Sequence, residues 1–282
     1  QVVAGNLQWA PSLQASRGVA SVASELGIKT LLYDADGDVQ ANLAMLHELP
    51  DGDADGAVIV SLHAKAFNEV IYELKRRGFP FVLVDQRLHD IDVGSVTADN
   101  YDGGYQAARH LLEYGHTQLA FIGDFLATTV RDRLAGFRDA IMDAGLPLDR
   151  SKLIDLCQED VSHRLDDWSQ VTEQCTRDLM QQPNPPTAIF FSCDAVARSG
   201  CRALETLGLS VPGDVSVIGF DDDPLCQWMT PKLTSIRQPF FEMGEVAIRM
   251  LNQVMVEPSQ SVESRVMPVE LVVRESVANL RS

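Results

Sequence analysis

The chain has 282 residues, of which 45% are apolar and 22% charged, a balance typical of a folded protein that excludes disorder. No uninterrupted apolar run approaches about 18 residues, so the sequence predicts no membrane span. The net charge of −17 indicates that this chain does not itself grip nucleic acid, because phosphate contacts need clustered Lys and Arg.

The first part of the chain alternates short apolar runs with segments of helical periodicity, which is the pattern of parallel α/β sheets. In chain order, the predicted elements are a strand over 2–5, a helix capped by Ser12, a strand over 28–33, a helix over 39–49, a strand over 57–60, a helix through 67–74 and a strand over 80–84.

The same alternation continues to the end of the chain. It predicts a helix through 105–112, a strand over 119–123, a helix over 131–144, a strand over 153–156, a helix through 168–179, a strand over 188–191, a helix over 195–207, a strand over 215–220, a helix through 240–254 and a strand over 266–273. Five glycines are expected to end helices in a left-handed conformation: Gly27, Gly78, Gly115, Gly145 and Gly208.

The apolar run 215–220 is the strand on which the functional prediction rests. It is bounded by Pro212 and Gly213 before it and by three aspartates after it, so it is predicted to be a buried parallel strand. The carboxyl ends of strands in open α/β sheets border the ligand crevice, and Asp221 is predicted to be the first residue past this one. A carboxylate there suits a ligand with hydroxyl donors, because charge-assisted hydrogen bonds are stronger than neutral ones.

The motifs of common enzymes and metal sites are missing from the sequence. It contains no Gly-x-Gly-x-x-Gly, no Walker loop, no His-Glu-x-x-His and no Gly-x-Ser-x-Gly, so we expect neither an enzyme nor a cofactor. The six histidines are scattered without metal-ligand spacing. The five cysteines are odd in number and well separated, which predicts buried free thiols in a reducing cytoplasm rather than a disulfide framework.

Several phrases resemble the effector-binding domain of LacI/GalR-type transcriptional regulators, and they run in family order from about Val2 to Ser276. They are His-Thr-Gln-Leu-Ala-Phe-Ile-Gly over 116–123, Arg-Leu-Ala-Gly-Phe-Arg over 133–138, Asp-Val-Ser-Val-Ile-Gly-Phe-Asp-Asp over 214–222, Leu-Thr-Ser-Ile-Arg-Gln over 233–238 and Leu-Val-Val-Arg-Glu-Ser over 271–276.

The resemblance implies a type I periplasmic-binding-protein-like fold, with two Rossmann-like lobes of parallel sheet joined by three crossovers. The lobes are expected at 1–115 plus 239–267 and at 116–238 plus 268–282. The family's amino-terminal helix-turn-helix is not found in this sequence, so operator DNA is an expected partner only through a domain outside the chain. The resemblance also implies a cytoplasmic homodimer that binds a small effector, a mono- or disaccharide.

Three residues match the family's principal ligand contacts. Asp221 matches the carboxylate that accepts from ligand hydroxyls, and its alternative is a strand-end residue that caps the next turn. Arg133 matches a ligand-facing arginine whose planar fork binds sugar oxygens, and its alternative is a surface residue. Trp168 matches an aromatic platform for the apolar face of a sugar ring, and its alternative is core packing.

Five further residues complete the predicted site. Phe240 matches a cleft aromatic or belongs to the core, while Asp102 and Asp85 are polar contacts or helix and turn caps. Trp9 lies in the loop after the first strand and offers a second stacking face. Cys193 stands where many relatives have Asn, so a hydroxyl contact is expected to be lost and the ligand to differ from common hexoses.

Two other functions remain open from the sequence. An extracytoplasmic sugar-binding protein that feeds a transporter would share the fold, although the closing Leu-Val-Val-Arg-Glu-Ser favours a regulator. A regulator with a GntR-type winged helix instead of a LacI-type helix-turn-helix would carry the same domain. The sequence gives neither the effector, nor the operator, nor whether the ligand induces or represses.

Overall fold

The structure is a computed structural model that describes residues 2–4, 7, 9–34, 38–60, 67–88, 93–157, 165–257 and 263–281. The chain forms two compact units, Gln1–Ala98 with Pro239–Pro268 and Asp99–Gln238 with Val269–Ser282. It therefore passes from one unit to the other three times, after Ala98, Gln238 and Pro268.

Strands and helices alternate along most of the chain, as the hydrophobic pattern predicts. The strands are β1 (Val2–Ala4), β2 (Leu32–Asp34), β3 (Ala57–Val60), β4 (Phe81–Val84), β5 (Ser95–Ala98), β6 (Leu119–Gly123), β7 (Leu153–Asp155), β8 (Ala188–Phe191), β9 (Ser216–Asp221), β10 (Thr234–Arg237), β11 (Arg265–Met267) and β12 (Glu270–Val272). The helices are α1 (Ala10–Glu25), α2 (Val39–Glu48), α3 (Phe67–Arg76), α4 (Asn100–Glu113), α5 (Thr128–Asp143), α6 (Leu165–Met180), α7 (Asp194–Thr206) and α8 (Phe240–Val256).

The first unit contains a sheet in the order β11-β5-β4-β3-β1-β2, and every pairing in it is parallel. Its central strands β3 and β4 are buried along their whole length and consist of apolar residues, as expected for a sheet covered on both faces. Helices α2 and α3 contribute to one apolar cluster with these strands, including Leu46, Ile71 and Leu74. Helix α8 packs along α1.

The second unit contains a sheet in the order β12-β10-β9-β8-β6-β7. All its pairings are parallel except that of β12, which runs antiparallel to β10. One face buries Phe121, Phe137, Phe190 and Phe220 against α4 and α5, and the other packs against α6 and α7. The apolar run around 215–220 is therefore a buried parallel strand, as predicted, although Asp221 is its last residue rather than the first one past it.

The five predicted helix-ending glycines all adopt the left-handed conformation, with φ between 69° and 91°. Each stands two residues after the last residue of a helix, where a residue with a Cβ would be strained, so the prediction is confirmed. The prediction that Ser12 caps the first helix is wrong. The helix begins at Ala10 with Trp9 as its N-cap residue, and Ser12 is a buried residue inside its first turn.

The carboxyl-terminal strand also differs from its prediction. The segment 266–273 forms two strands, because Pro268 interrupts the hydrogen-bonding ladder, and β11 and β12 join different sheets. Strand β5 was not predicted as a strand, since its apolar residues run directly into the start of α4.

Helix α4 belongs to the second compact unit, whereas the sequence placed the end of the first lobe at 115. The physical reason is its contact with α5. A Cβ on Gly104 would overlap the backbone oxygen of Arg133, and a Cβ on Gly136 would overlap that of Tyr101. The two helices thus approach at backbone distance, and their contact ties α4 to the second sheet.

None of the five cysteines forms a disulfide, but only Cys226 is buried and the other four are partly exposed, so the prediction of buried thiols holds for one of them. None of the helices in the described part of the chain combines the length and apolar character that crossing a membrane requires.

Candidate functional site

Three polar residues stand where neighbouring strands of the second sheet end. Ser192 follows β8, Asp221 ends β9, and Gln238 follows β10. These strands are parallel neighbours, so their carboxyl ends lie at one edge of the sheet. The three residues are at most 6% exposed. The sheet therefore gathers a carboxylate, an amide and a backbone carbonyl into one buried group.

Arg133 brings the positive charge to this edge from helix α5. Its Nε donates to Asn100 Oδ1 over 2.8 Å, and its Nη1 donates to the backbone oxygen of Ser192 over 2.5 Å. Its guanidinium carbon lies 3.7 Å from the centre of the Phe220 ring, a distance that allows a cation–π contact. Arg133 is 4% exposed, so its guanidinium is buried and held by these contacts, and the alternative of a surface residue is wrong. Its contact with a ligand stays a prediction.

The Asp221 carboxylate is held beside that guanidinium. Its Oδ1 accepts from Gln238 Nε2 over 2.7 Å and lies 4.0 Å from Arg133 Nη1. Among the described residues, Gln238 Oε1 is buried without a hydrogen-bond partner. A guanidinium, a carboxylate and an amide oxygen together offer donors and acceptors at short range, which suits a neutral ligand with several hydroxyl groups.

Cys193 is the N-cap residue of α7, directly after Ser192. Desolvation, reinforced by the negative charge of Asp221, raises the pKa of the Cys193 thiol to about 12. The thiol therefore stays neutral at physiological pH and offers only a weak hydrogen bond where an amide would offer strong ones.

Asp102 and Trp168 also lie in the second unit. Asp102 is in the first turn of α4 and accepts from Gln106 Nε2 over 2.6 Å, but the N-cap of that helix is Asp99, so the cap alternative is wrong. Trp168, on α6, is partly buried and packs against the apolar cluster under α7. Both the ligand and the core interpretation of Trp168 remain compatible with this position.

The other three predicted residues lie in the first unit. Trp9 is the N-cap residue of α1 and makes no capping bond with its side chain. Asp85 follows β4, is 2% exposed and has a positive φ of 59°, a conformation that is unusual for a residue other than glycine. Phe240 is the first residue of α8 and is buried. Trp9 and Asp85 thus follow carboxyl ends of strands in their own sheet.

The sequence did not single out the residues that hold Arg133 and Asp221 in place. Asn100, Ser192, Phe220 and Gln238 each contact one of the two. Gln238 directly follows β10, so the rule that identified Asp221 would have found it only if the segment 234–237 had been predicted as a strand. Asn100 had no such signal, because its contact depends on how α4 packs on α5.

Two parallel-rich sheets flanked by helices, with a buried polar group where strands end, define a periplasmic-binding-protein-like domain. The model of the periplasmic binding protein-like domain matches residues 108–277. The chain belongs to the LacI family of transcriptional regulators, in which this domain binds the effector.

Known proteins support this assignment. The chain is 30% identical over 269 residues to the HTH-type transcriptional regulator DegA of Bacillus subtilis strain 168, covering 95% of this chain and 77% of DegA. It resembles a LacI family transcriptional regulator of Enterococcus faecium solved with bound ribose, at a TM-score of 0.80 and 30% identity, with 99% and 98% of the two chains covered. It also resembles the transcriptional regulator CelR in complex with cellobiose, at a TM-score of 0.83 and 27% identity, covering 98% and 83%. These relatives are regulators rather than enzymes.

Proposed function

We propose that this chain senses a mono- or disaccharide and that Arg133 and Asp221 form the centre of its binding site. The observation that carries the proposal is the buried pairing of the Arg133 guanidinium with the Asp221 carboxylate at the strand ends of the second sheet, where the carboxylate also accepts a hydrogen bond from Gln238. A buried charge pair is costly to desolvate, and a hydroxyl-rich ligand that bonds to both members offsets that cost.

The remaining predicted contacts belong to the same proposal. Asp102 and Cys193 supply polar contacts from the second unit and Trp168 a stacking face, while Trp9, Asp85 and Phe240 contribute from the first unit. The bound ribose and cellobiose in the two structural relatives support a sugar as the ligand class. In a cytoplasmic regulator, the ligand would then bias the relative orientation of the two lobes and pass that change to a DNA-binding domain outside this chain.

A thermal-shift screen tests the sugar proposal. A ligand that binds only the folded state raises the unfolding midpoint by mass action. D-Ribose, cellobiose and related free sugars are added to the purified chain, with purines and phosphorylated sugars as competing classes. We expect a free sugar to raise the midpoint in the wild-type chain and not in Asp221→Asn.

Asp214→Asn is the matched control, because Asp214 is an exposed carboxylate of the same unit that bonds to Ser210. This variant should respond to the sugar as the wild type does. A response to purines or phosphates alone would contradict the proposal, and so would an unchanged sugar response in Asp221→Asn.

We further propose that the chain is a homodimer, as the resemblance implies. An apolar surface on the second unit supports this. Trp228 is 82% exposed, and Leu225 and Val273 are 48% and 51% exposed. Trp228 and Val273 line the same surface hollow, and the Trp228 backbone N–H donates to the Leu225 backbone oxygen over 2.9 Å. Exposed aromatic and aliphatic groups that lie together are typical of protein interfaces. Sedimentation velocity should show a dimer that Trp228→Ser weakens, and a wild-type chain that sediments as a monomer would contradict the proposal.

A further inference from the structure

The carboxylate of Asp194 reaches away from its own helix. Asp194 is the first residue of α7, a position where a carboxylate commonly interacts with the amino-terminal end of its own helix. Instead, its Oδ1 accepts from Ser235 Oγ over 2.7 Å and its Oδ2 accepts from the backbone N–H of Asp223 over 2.7 Å. The side chain is 5% exposed. It therefore joins α7 to β10 and to the segment that follows β9.

The segment that it bonds is the turn that carries Asp221. Asp221 and Asp222 both have positive φ angles, 109° and 55°, which are unfavourable for residues with a Cβ. Such a conformation persists only when surrounding contacts hold it. The Asp223 N–H bond to Asp194 holds one end of this turn, and the Asp222 N–H donates to the same Ser235 Oγ over 3.1 Å.

The Asp222 side chain also holds the turn. It accepts from Arg237 Nε over 2.8 Å and from Arg274 Nη2 over 2.5 Å. The turn is thus held by arginines through the side chain of Asp222 and by Asp194 through its backbone.

The position of the Asp194 carboxylate is also defined sterically. A Cβ on Gly219, in the middle of β9, would overlap Asp194 Oδ1. The absence of a side chain at Gly219 therefore leaves the space in which the carboxylate lies against the strand. The Cys226 thiol contributes a further hydrogen bond to Asp194 from the short turn Pro224–Gln227.

We propose that Asp194 is a positioning residue for the ligand site: its buried carboxylate holds the turn Asp221–Asp223 and so fixes the direction of the Asp221 carboxylate. The part of this inference that concerns ligand affinity rests on the proposed sugar site. The part that concerns the turn does not, since it follows from contacts within the second unit alone.

The charge state of Asp194 gives the proposal a distinctive readout. The pKa of this carboxyl is raised to about 7, chiefly by desolvation and to a smaller extent by the nearby Asp222, against hydrogen bonds from Ser235, Asp223 and Cys226 that favour the ionised form. Arg274 is bonded to Asp222, the neighbouring carboxylate that acts on this group. An ionised acceptor holds the turn more strongly than a protonated one, so the hold on Asp221 strengthens as pH rises through this range.

The first experiment needs no ligand. The backbone amide resonances of Asp222 and Asp223 are followed by two-dimensional NMR of the full chain from about pH 5 to about pH 9, on both sides of the Asp194 pKa. We expect the Asp223 resonance to titrate near neutral pH in the wild type and to stay constant in Asp194→Asn. Asp194→Ala should also increase hydrogen exchange at Asp223. Asp214→Asn should leave both signals as they are in the wild type.

The second experiment is calorimetric titration with D-ribose and with cellobiose at about pH 6 and about pH 8. We expect the wild type to bind its sugar more tightly at the higher pH. Asp194→Asn should bind roughly tenfold more weakly at that pH, the loss expected for one hydrogen bond to a charged group, and its affinity should no longer depend on pH. Gly219→Ala, which displaces the carboxylate without removing it, should weaken binding in the same direction.

The outcomes separate the two proposals. If the wild type binds a sugar and Asp194→Asn binds it equally well at both pH values, the positioning role is overturned while the sugar site stands. If no sugar binds the wild type, the sugar site fails, and the NMR titration still decides the role of Asp194 in the turn. If the Asp223 resonance titrates in Asp194→Asn as it does in the wild type, that role is overturned as well.

Discussion

In each of the two units, a pair of helices packs at backbone distance through glycine residues. Helices α1 and α8 in the first unit and α4 and α5 in the second approach so closely that two glycines in each pair face backbone oxygens of the partner helix. These contacts are Gly18 with Phe241 and Gly244 with Ala15 in the first unit, and Gly104 with Arg133 and Gly136 with Tyr101 in the second.

The difference lies in the residue that the close contact positions. In the second unit, Gly104 meets the backbone of Arg133, so the helix contact also sets where the buried guanidinium stands. In the first unit, the equivalent contacts fall on Ala15 and Phe241, which carry no charge. The same packing is thus a structural joint in one unit and part of a polar site in the other.

The largest difference in stability between the two units should come from loss of the buried arginine. Arg133→Ala leaves Asn100 and Asp221 without their cation, and removal of one member of a buried pair typically costs about 3–5 kcal/mol. Arg249→Ala in the first unit, where the guanidinium is 55% exposed and 3.8 Å from Glu25, should cost about 1 kcal/mol or less. Urea unfolding measures both, and equal losses would contradict the account of Arg133.

The pH dependence of the free energy of unfolding should reveal that burial of the ionised Asp194 carboxylate is unfavourable. The folded-state pKa of Asp194, about 7, exceeds its unfolded value, so the folded state keeps a proton that the unfolded state loses. The stability from this group is complete below about pH 4 and is lost as pH rises to about 7, a change on the order of a few kcal/mol. Asp194→Asn should lack this decline, and denaturant unfolding across that range tests it. A decline that persists unchanged in the variant would assign it to other groups.

Substitution of the contact glycines should affect both units alike. Gly136→Ala and Gly244→Ala each insert a methyl group against a backbone oxygen and should cost about 1–3 kcal/mol, as overpacking does. Gly145→Ala is the control, because its φ is 72° but no atom lies within 4 Å of its Cβ position, so only backbone strain of about 1 kcal/mol is expected. Thermal unfolding compares them, and equal losses in all three would argue against the close helix contact.

The smallest effect is expected at the rim of the site. Arg237 is 48% exposed and pairs with Asp222 and Glu270. Exposed ion pairs contribute little, so Arg237→Ala should lower stability by no more than about 1 kcal/mol, and less at high salt. Asp222 keeps its bond to the more buried Arg274. If Arg237→Ala lowers the free energy of unfolding in urea as much as Arg133→Ala does, the turn depends on the exposed pair of Arg237 and Asp222.

The sequence predicted features that depend on local physics. The apolar run 215–220, the five glycines after helices and the strands 57–60, 119–123 and 188–191 follow from hydrophobic pattern and backbone conformation, and the structure confirms them. Asp221 was predicted because the carboxyl ends of strands border the ligand crevice in such sheets. The structure places it at the end of β9, and its contact with a ligand stays a prediction. The error at Ser12 arose because Trp9 occupies the N-cap position without a capping side chain, which no preference table anticipates.

Features that depend on strand order or helix packing escaped prediction. Gln238 and Asp194 meet the Asp221 turn only because β8, β9 and β10 are neighbours in the sheet. The break at Pro268 was not predicted because this residue lies inside an apolar run. Only the strand order of both sheets shows that β11 and β12, on either side of it, join different sheets. The assignment of α4 to the second unit required knowledge of which helix the glycines face.

A crystal structure of the chain grown with its sugar would show directly whether Arg133 and Asp221 bind the ligand. We expect sugar hydroxyl groups within hydrogen-bonding distance of both the Asp221 carboxylate and the Arg133 guanidinium, with the turn Asp221–Asp223 keeping its bonds to Asp194 and Ser235. A sugar bound elsewhere, with Arg133 and Asp221 still bonded only to protein groups, would contradict it.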